Sequence, residues 1–218
     1  MDWMDSGIRS AEENMELDRA LLADLHESDD LFLHLYDWER PSATYGHFID
    51  PKLYLQEGKI DLAKRPTGGG IVFHVSDLAF SVLVPKKHPA YSENTMENYA
   101  FINNKVIEAI GGGQLLPVEP TPLDEVARHF CMAKPTRYDV MLNGKKVGGA
   151  AQRRTKDGYL HQGTIFLQKP SLDFLQSVLL PGSRVLEGME LNSHPLVPGH
   201  DLDEARALIK KRLIEVFQ

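Results

Sequence analysis

Two stretches and one cysteine carry residue types that chemistry can use. The first stretch is Arg65–His74, RPTGGGIVFH. Three consecutive glycines lose extra backbone entropy on folding, so they suit a place where the main chain approaches a partner closely or takes positive φ. Exposed N–H groups in such a bend fit a carboxylate or phosphate, and Arg65 adds a positive charge upstream. The alternative is a tight turn between strands. The run is neither a G-x-G-x-x-G fingerprint nor a P-loop. The second stretch is Gly144–Gln152, GKKVGGAAQ. Two glycines and two alanines in a strand remove side-chain volume and leave a slot for a ligand or another backbone. A lysine at the slot's mouth can hold charge that develops on a carbonyl or phosphoryl oxygen; the alternative is a surface hairpin with ordinary lysines. Cys131 is the single cysteine. A thiolate is a natural acyl acceptor that forms a thioester, and the alternative is an inert, small buried hydrophobe. Nine histidines are scattered without H-E-x-x-H or another ligand spacing, so no structural metal site is expected. No G-x-S-x-G elbow is present, which argues against a serine hydrolase.

These residues must be positioned by regular elements. Leu17, Leu21 and Leu25 predict an amphipathic helix over Ala11–His26. Leu31–Tyr36, Ser42–Gly46 and Leu78–Val84 read as strands, and Ile71–Phe73 continues from the triglycine run. A helix over Ser92–Ile110 presents Met96, Tyr99, Val106 and Ile110, with Gly111 as its stop. Asn143-Gly144 between Tyr138–Leu142 and Lys145–Val147 is a strong hairpin signal. Asp157-Gly158 repeats the device before Tyr159–Leu167, so three strands form an antiparallel meander. Gly112–Thr121 reads as a loop. Helices at Ser171–Leu180 and Asp201–Phe217 end the chain, the last with Leu202, Ala205, Ile209, Leu213 and Val216 as its stripe. The expectation is one α+β domain over residues 1–218, with largely antiparallel sheets flanked by helices.

Composition narrows the class. The chain has 218 residues and a net charge of −7, which disfavours sequence-independent nucleic-acid binding. No run of about 18 apolar residues occurs, so no membrane span is expected. The N-terminus lacks a basic and apolar leader, and a lone cysteine fits a reducing compartment, so a cytoplasmic location is expected.

Taken together, R-x-x-G-G-G-x-V-F-H and G-K-K-V-G-G-A-A-Q resemble the catalytic domain of the lipoate–protein ligase A family. Glu13–Asp18 is similar to that family's opening helix, Trp38–Gly46 to its tryptophan–proline–glycine strand pair, and Leu160–Ile165 to its histidine–glycine–threonine strand. The likeness runs over residues 13–167. It implies the biotin/lipoate ligase fold, shared with class II synthetase cores. It also implies a catalytic Lys146 that holds the acyl head, and an acyl-binding site made by Arg65, Gly68, Gly69, Gly70, His74, Gly148, Gly149, Ala150 and His161. Asp139 corresponds to an acidic position that contacts nucleotide or metal. The sequence departs from the family in having Val75 where an aspartate usually follows the histidine, and no C-terminal accessory domain is expected within residues 1–218.

The activity implied is a lipoate–protein ligase, which activates lipoate or octanoate with ATP and Mg2+ and attaches it in amide linkage to a carrier lysine. The segment Cys131–Asp139 also resembles the cysteine–proline–tyrosine stretch of the family's octanoyltransferase branch. There the cysteine takes octanoate from acyl carrier protein and needs no ATP. A third alternative is a non-catalytic lipoyl-binding subunit. The carriers implied are apo lipoyl domains of 2-oxoacid dehydrogenase E2 subunits or the glycine-cleavage H protein.

Overall fold

Turn chemistry builds the centre of the molecule. In a computed structural model describing residues 1–27 and 29–218, Asn143 (φ 52°) and Gly144 (φ 78°) both take left-handed backbone. That is the turn geometry whose twist matches a two-residue hairpin. It joins β8 (Val140–Leu142) to β9 (Lys145–Arg154). Strand β10 (Gly158–Phe166) then returns antiparallel along β9, completing the expected meander.

The meander is half of a larger sheet. Strands β1 (Asp2–Arg9), β2 (Phe32–Trp38), β6 (Asp77–Pro85) and β7 (Gln114–Leu115) complete a seven-stranded sheet in the order β1-β2-β6-β10-β9-β8-β7. Strands β3 (Ser42–Tyr45), β4 (Asp61–Lys64) and β5 (Val72–His74) form a second sheet in the order β4-β3-β5. Pairing is antiparallel except for β1 with β2 and β3 with β4. The expected α+β class is therefore observed.

Helices α2 (Thr95–Ile110) and α5 (Leu202–Phe217) cover one face of the large sheet. Ile102, Val106, Ile209 and Leu213 from the helices meet Leu33, Leu35, Phe80 and Val82 from β2 and β6 there. The opposite face carries α1 (Ala11–Ala23) and the small sheet. A second apolar cluster joins Phe73, Phe130, Phe166 and helices α3 (Leu172–Val178) and α4 (Val185–Asn192).

Several expectations need correction. Strands β1 and β4 and helix α4 were not foreseen, and β7 lies inside the stretch read as a loop. Strand β1 has mostly exposed or half-buried positions, so no alternation marks it; pairing with β2 makes it a strand. Helix α1 ends at Ala23, and a 3₁₀ turn over Asp24–Glu27 follows. Its buried face is Ala11, Asn14, Met15, Asp18 and Leu22, not the leucine row. Three of those are polar or small, and an apolar period cannot find a face that is buried for its hydrogen bonds. Helix α2 buries Asn98, Ile102, Asn103, Val106 and Ala109, while Met96 is 39% exposed.

Candidate active site

The site lies between the two sheets, where inward-facing side chains are small. In β10, Gln162 and Thr164 face the small sheet, and Gly163 backs onto the other layer. A Cβ at Gly163 would meet the Phe80 ring at 2.4 Å. Register sets the neighbours: Gly149 and Ala151 of β9 lie beside Thr164 and Gln162, and Ala79 and Ser81 of β6 lie on their far side. Above this floor sit Thr44 of β3, Val72 and His74 of β5, and the bend Arg65–Gly70. The space between them is a cavity of about 440 Å3 including its open mouth, lined also by Met15, Tyr36 and Cys131.

The triglycine bend is held as a unit. The buried Arg65 guanidinium donates to the carbonyls of Gly68 (2.8 Å) and Gly70 (2.7 Å) and to Thr44 Oγ1 (2.9 Å). Burial pushes its pKa down to about 10, which leaves it a cation at neutral pH. Gly69 takes φ 85°, and a Cβ on Gly70 would lie 2.2 Å from the His129 carbonyl oxygen. That contact carries the cysteine. Ile71 N donates to His129 O (2.6 Å), and Cys131 N donates to Ile71 O (2.9 Å). The segment after the bend thus pairs with residues 129–131 and places half-buried Cys131 on the cavity wall.

Lys146 reaches the same point through a fault in the strand. Val140 pairs with Gly148 while Met141 pairs with Lys146, so Val147 is an extra residue. Such a bulge shifts side-chain parity by one. Lys146 and Gly149, three apart, therefore share the cavity face. Lys146 Nζ bonds Asp139 Oδ2 (2.6 Å), Cys131 O (2.9 Å) and Cys131 Sγ (3.1 Å). Burial alone would lower the lysine's pKa, but the Asp139 carboxylate and the cysteine sulfur outweigh it, and the net shift is upward. Lys146 is held as an ammonium. Asp139 is fixed in turn by Thr136 N (2.6 Å) and Thr136 Oγ1 (3.1 Å). Gly149 is the clearance for this group: a Cβ there would stand 2.6 Å from Lys146 Nζ and 2.7 Å from Asp139 Oδ1.

A buried polar network supports the floor. Asp18 of α1 bonds His34 Nδ1 (2.8 Å), Ser81 Oγ (2.6 Å) and Gln162 Nε2 (2.6 Å), and Gln162 Oε1 accepts from Thr67 Oγ1 (2.6 Å). The bend is thus tied to α1 through the sheet. His74 bridges Thr44 Oγ1 (2.8 Å) and Asp77 Oδ2 (2.7 Å), stacks on Trp38 with centroids 4.1 Å apart, and lines the cavity. Val75 replaces the family's aspartate, yet Asp77 gives His74 an acidic partner and also accepts from Thr164 Oγ1 (2.7 Å).

The sequence-derived set divides on these facts. Arg65, Gly69, Gly70, His74, Gly149, Ala150 and Cys131 line the cavity, Lys146 sits against Cys131, and Asp139 sits against Lys146. Gly68, Gly148 and His161 do not line it. A Cβ on Gly148 meets Val140 of the opposite layer, because the bulge turns that residue away. His161 packs near Phe80 and Tyr99, hydrogen-bonded to Gln152, and burial pushes its pKa down to about 3. Ala151, Thr164, Gln162 and Tyr36 line the cavity without having been singled out. Strict alternation from Gly149 would have found Ala151; the others become visible only with strand register.

The model of the lipoyl protein ligase A/B catalytic domain matches residues 10–190. The chain belongs to that family. The octanoyltransferase LipM of Halalkalibacterium halodurans is 29% identical, over 92% of this chain and 78% of that one. The octanoyltransferase LipM of Anoxybacillus flavithermus is 31% identical, over 87% of this chain and 73% of that one. Among solved structures, a putative lipoate protein ligase from T. acidophilum with bound lipoic acid superposes at TM-score 0.69 with 23% identity. It covers 99% of this chain and 86% of that one. A lipoate-protein ligase A bound with ATP superposes at 0.68 with 21% identity, over 98% and 83%. The structural likenesses establish the family's fold. The sequence relatives correct the activity. The expected ATP-dependent lipoate ligase gives way to the octanoyltransferase alternative, the name that these curated relatives carry at 28–31% identity. Asp139, expected at nucleotide or metal, is here the partner of Lys146.

Proposed function

We propose that this protein is a cysteine-dependent octanoyltransferase. Cys131 takes an octanoyl group from the thioester of acyl carrier protein and passes it to a lysine of an apo lipoyl domain or the glycine-cleavage H protein. One observation carries the reading: the buried Lys146 ammonium bonds both the Cys131 sulfur and Asp139, and Cys131 lines a cavity with a small-residue floor.

The chemistry balances on one sulfur. The Cys131 thiolate attacks the donor carbonyl, a C–S bond forms, and the tetrahedral oxyanion collapses with loss of the carrier's thiolate, which takes up a proton. The neutral acceptor amine then attacks the new thioester, a C–N bond forms, the Cys131–acyl bond breaks, and the amine's proton leaves to solvent. Lys146 remains protonated throughout and steadies negative charge at the sulfur and the adjacent oxygen. Backbone adds a donor. Gln152 N points off the edge of β9 to Tyr99 Oη (2.9 Å). By strand alternation the Ala150 N–H points off the same edge, where the β8 ladder has already ended at Gly148. Tyr138, at φ 69°, takes the chain out of the sheet there. The freed amide at the cavity wall suits the oxyanion.

The test is acyl-enzyme capture. Purified protein is mixed with octanoyl-acyl carrier protein, without ATP, and its intact mass is read before and after addition of apo lipoyl domain. One octanoyl adduct on Cys131, discharged to the domain and absent in Cys131→Ser, is the expected result. Full transfer by Cys131→Ser would overturn the proposal.

A further inference from the structure

The cavity floor is a single cross-strand row. Register places Gly149 beside Thr164 and Thr164 beside Ala79. The β2–β6 register ends by pairing Leu35 with Phe80, and one residue further along each strand Tyr36 and Ala79 pack in the same buried cluster. Read outward from Cys131, the row is Gly149, Thr164, Ala79, Tyr36: three small side chains and then a large one. Tyr36 is 2% exposed, and Met15 of α1, 1% exposed, packs with it and with Ala79 in one buried cluster. Both residues line the cavity. The far end of the slot is therefore closed by two large, buried side chains.

The span agrees with a medium-chain occupant. Four adjacent strands lie three spacings apart, roughly 14 Å at ~4.8 Å each. An extended octanoyl chain is roughly 9 Å long, from seven C–C bonds of ~1.5 Å in zigzag. The remainder accommodates the reacting carbonyl and the sulfur at the near end. A second, apolar cavity lies behind Val72 and Thr164, which line both spaces. Thr164 is tied there to Asp77 (2.7 Å), and that wall separates the two spaces.

We infer that Met15 and Tyr36 are the end stop that selects acyl-chain length, with Ala79 as the last open position before it. The inference rests on the octanoyltransferase reading and assigns its specificity. Longer chains are excluded because their terminal carbons meet Met15 and Tyr36, and shorter ones leave apolar surface of the slot unfilled.

Two substitutions with opposite effects test this. Rates are measured with hexanoyl-, octanoyl-, decanoyl- and dodecanoyl-acyl carrier protein. Met15→Ala opens the end, so kcat/KM for decanoyl relative to octanoyl rises by roughly fifteenfold, from burial of two further methylenes at about fourfold each. Ala79→Val fills the row before the stop, so hexanoyl gains on octanoyl by a similar factor. Opposite shifts cannot come from general destabilisation, and if Met15→Ala does not fold, Ala79→Val alone decides. Val72→Ala is the control for the other route. A decanoyl gain in Val72→Ala with none in Met15→Ala would send the tail into the second cavity and overturn the inference. So would an unchanged octanoyl optimum in both end-stop variants. A wild-type protein that transfers no acyl group sinks the transferase reading instead. Calorimetric binding of octanoate and decanoate to the wild type and Met15→Ala then still reports the length of the slot.

Discussion

Gly149→Ala puts the geometry of the nucleophile under the sharpest strain. A Cβ at this position stands 2.6 Å from Lys146 Cε and Nζ, and ordinary contact begins at 3.4 Å. Lys146 must therefore retreat by at least 0.8 Å. It cannot retreat freely, because Asp139 holds it at 2.6 Å and itself stands only 2.7 Å from the new methyl. The ammonium moves off the Cys131 sulfur. A misplacement of this size, near 1 Å, costs on the order of 10²-fold in rate. The backbone tolerates the change, since Gly149 is not among the positive-φ glycines. The measurement is the rate at which Cys131 gains an octanoyl group, followed by mass spectrometry, with thermal melting alongside. Gly148→Ala is the internal comparison. Its nearest contact is a backbone oxygen at 3.1 Å on the other face, so it costs some stability and little rate. Equal losses from the two variants, or full acylation by Gly149→Ala, would refute the assignment of Gly149 as clearance for Lys146.

Other outcomes follow from the same contacts. Lys146→Ala removes the cation of a buried pair whose side chains are 1% and 3% exposed. The stranded Asp139 costs about 3–5 kcal/mol of stability by denaturant titration, and acylation of Cys131 falls by roughly 10²–10³-fold. His161 is kept neutral by burial, with a pKa near 3. Below its unfolded value of about 6.5 the unfolded chain binds a proton that the folded chain refuses, so stability falls as pH drops from about 6.5 towards 3. The slope is roughly 1.4 kcal/mol per pH unit from this group. His161→Phe should flatten the acid limb of unfolding free energy against pH by that amount, read by denaturant titration. An unchanged limb would show that His161 does not govern it.

Sequence alone determined the chemistry-bearing parts and the local pieces that hold them. Asn143-Gly144 specified its hairpin because both residues accept positive φ, a purely local property. The β8–β9–β10 meander followed from the Asn-Gly and Asp-Gly turns, and Ala205, Ile209 and Leu213 of the α5 stripe from a period of 3.6, with Phe217 buried in place of Val216. The triglycine bend and the glycine–alanine strand were legible because closely approaching backbone demands small residues wherever it occurs. What only the tertiary structure decided was which residues meet. The Val147 bulge is invisible in composition, yet it sets Lys146 and Gly149 on one face and turns Gly148 to the other. Asp18 lies outside the leucine row of α1, and its burial makes sense only once His34, Ser81 and Gln162 arrive from three different strands. Tyr36, Ala79 and Thr164 are far apart in sequence and become one row through register. Periodicity reports how a segment relates to its own axis; register, bulges and buried hydrogen bonds are relations between segments, and these fixed the site.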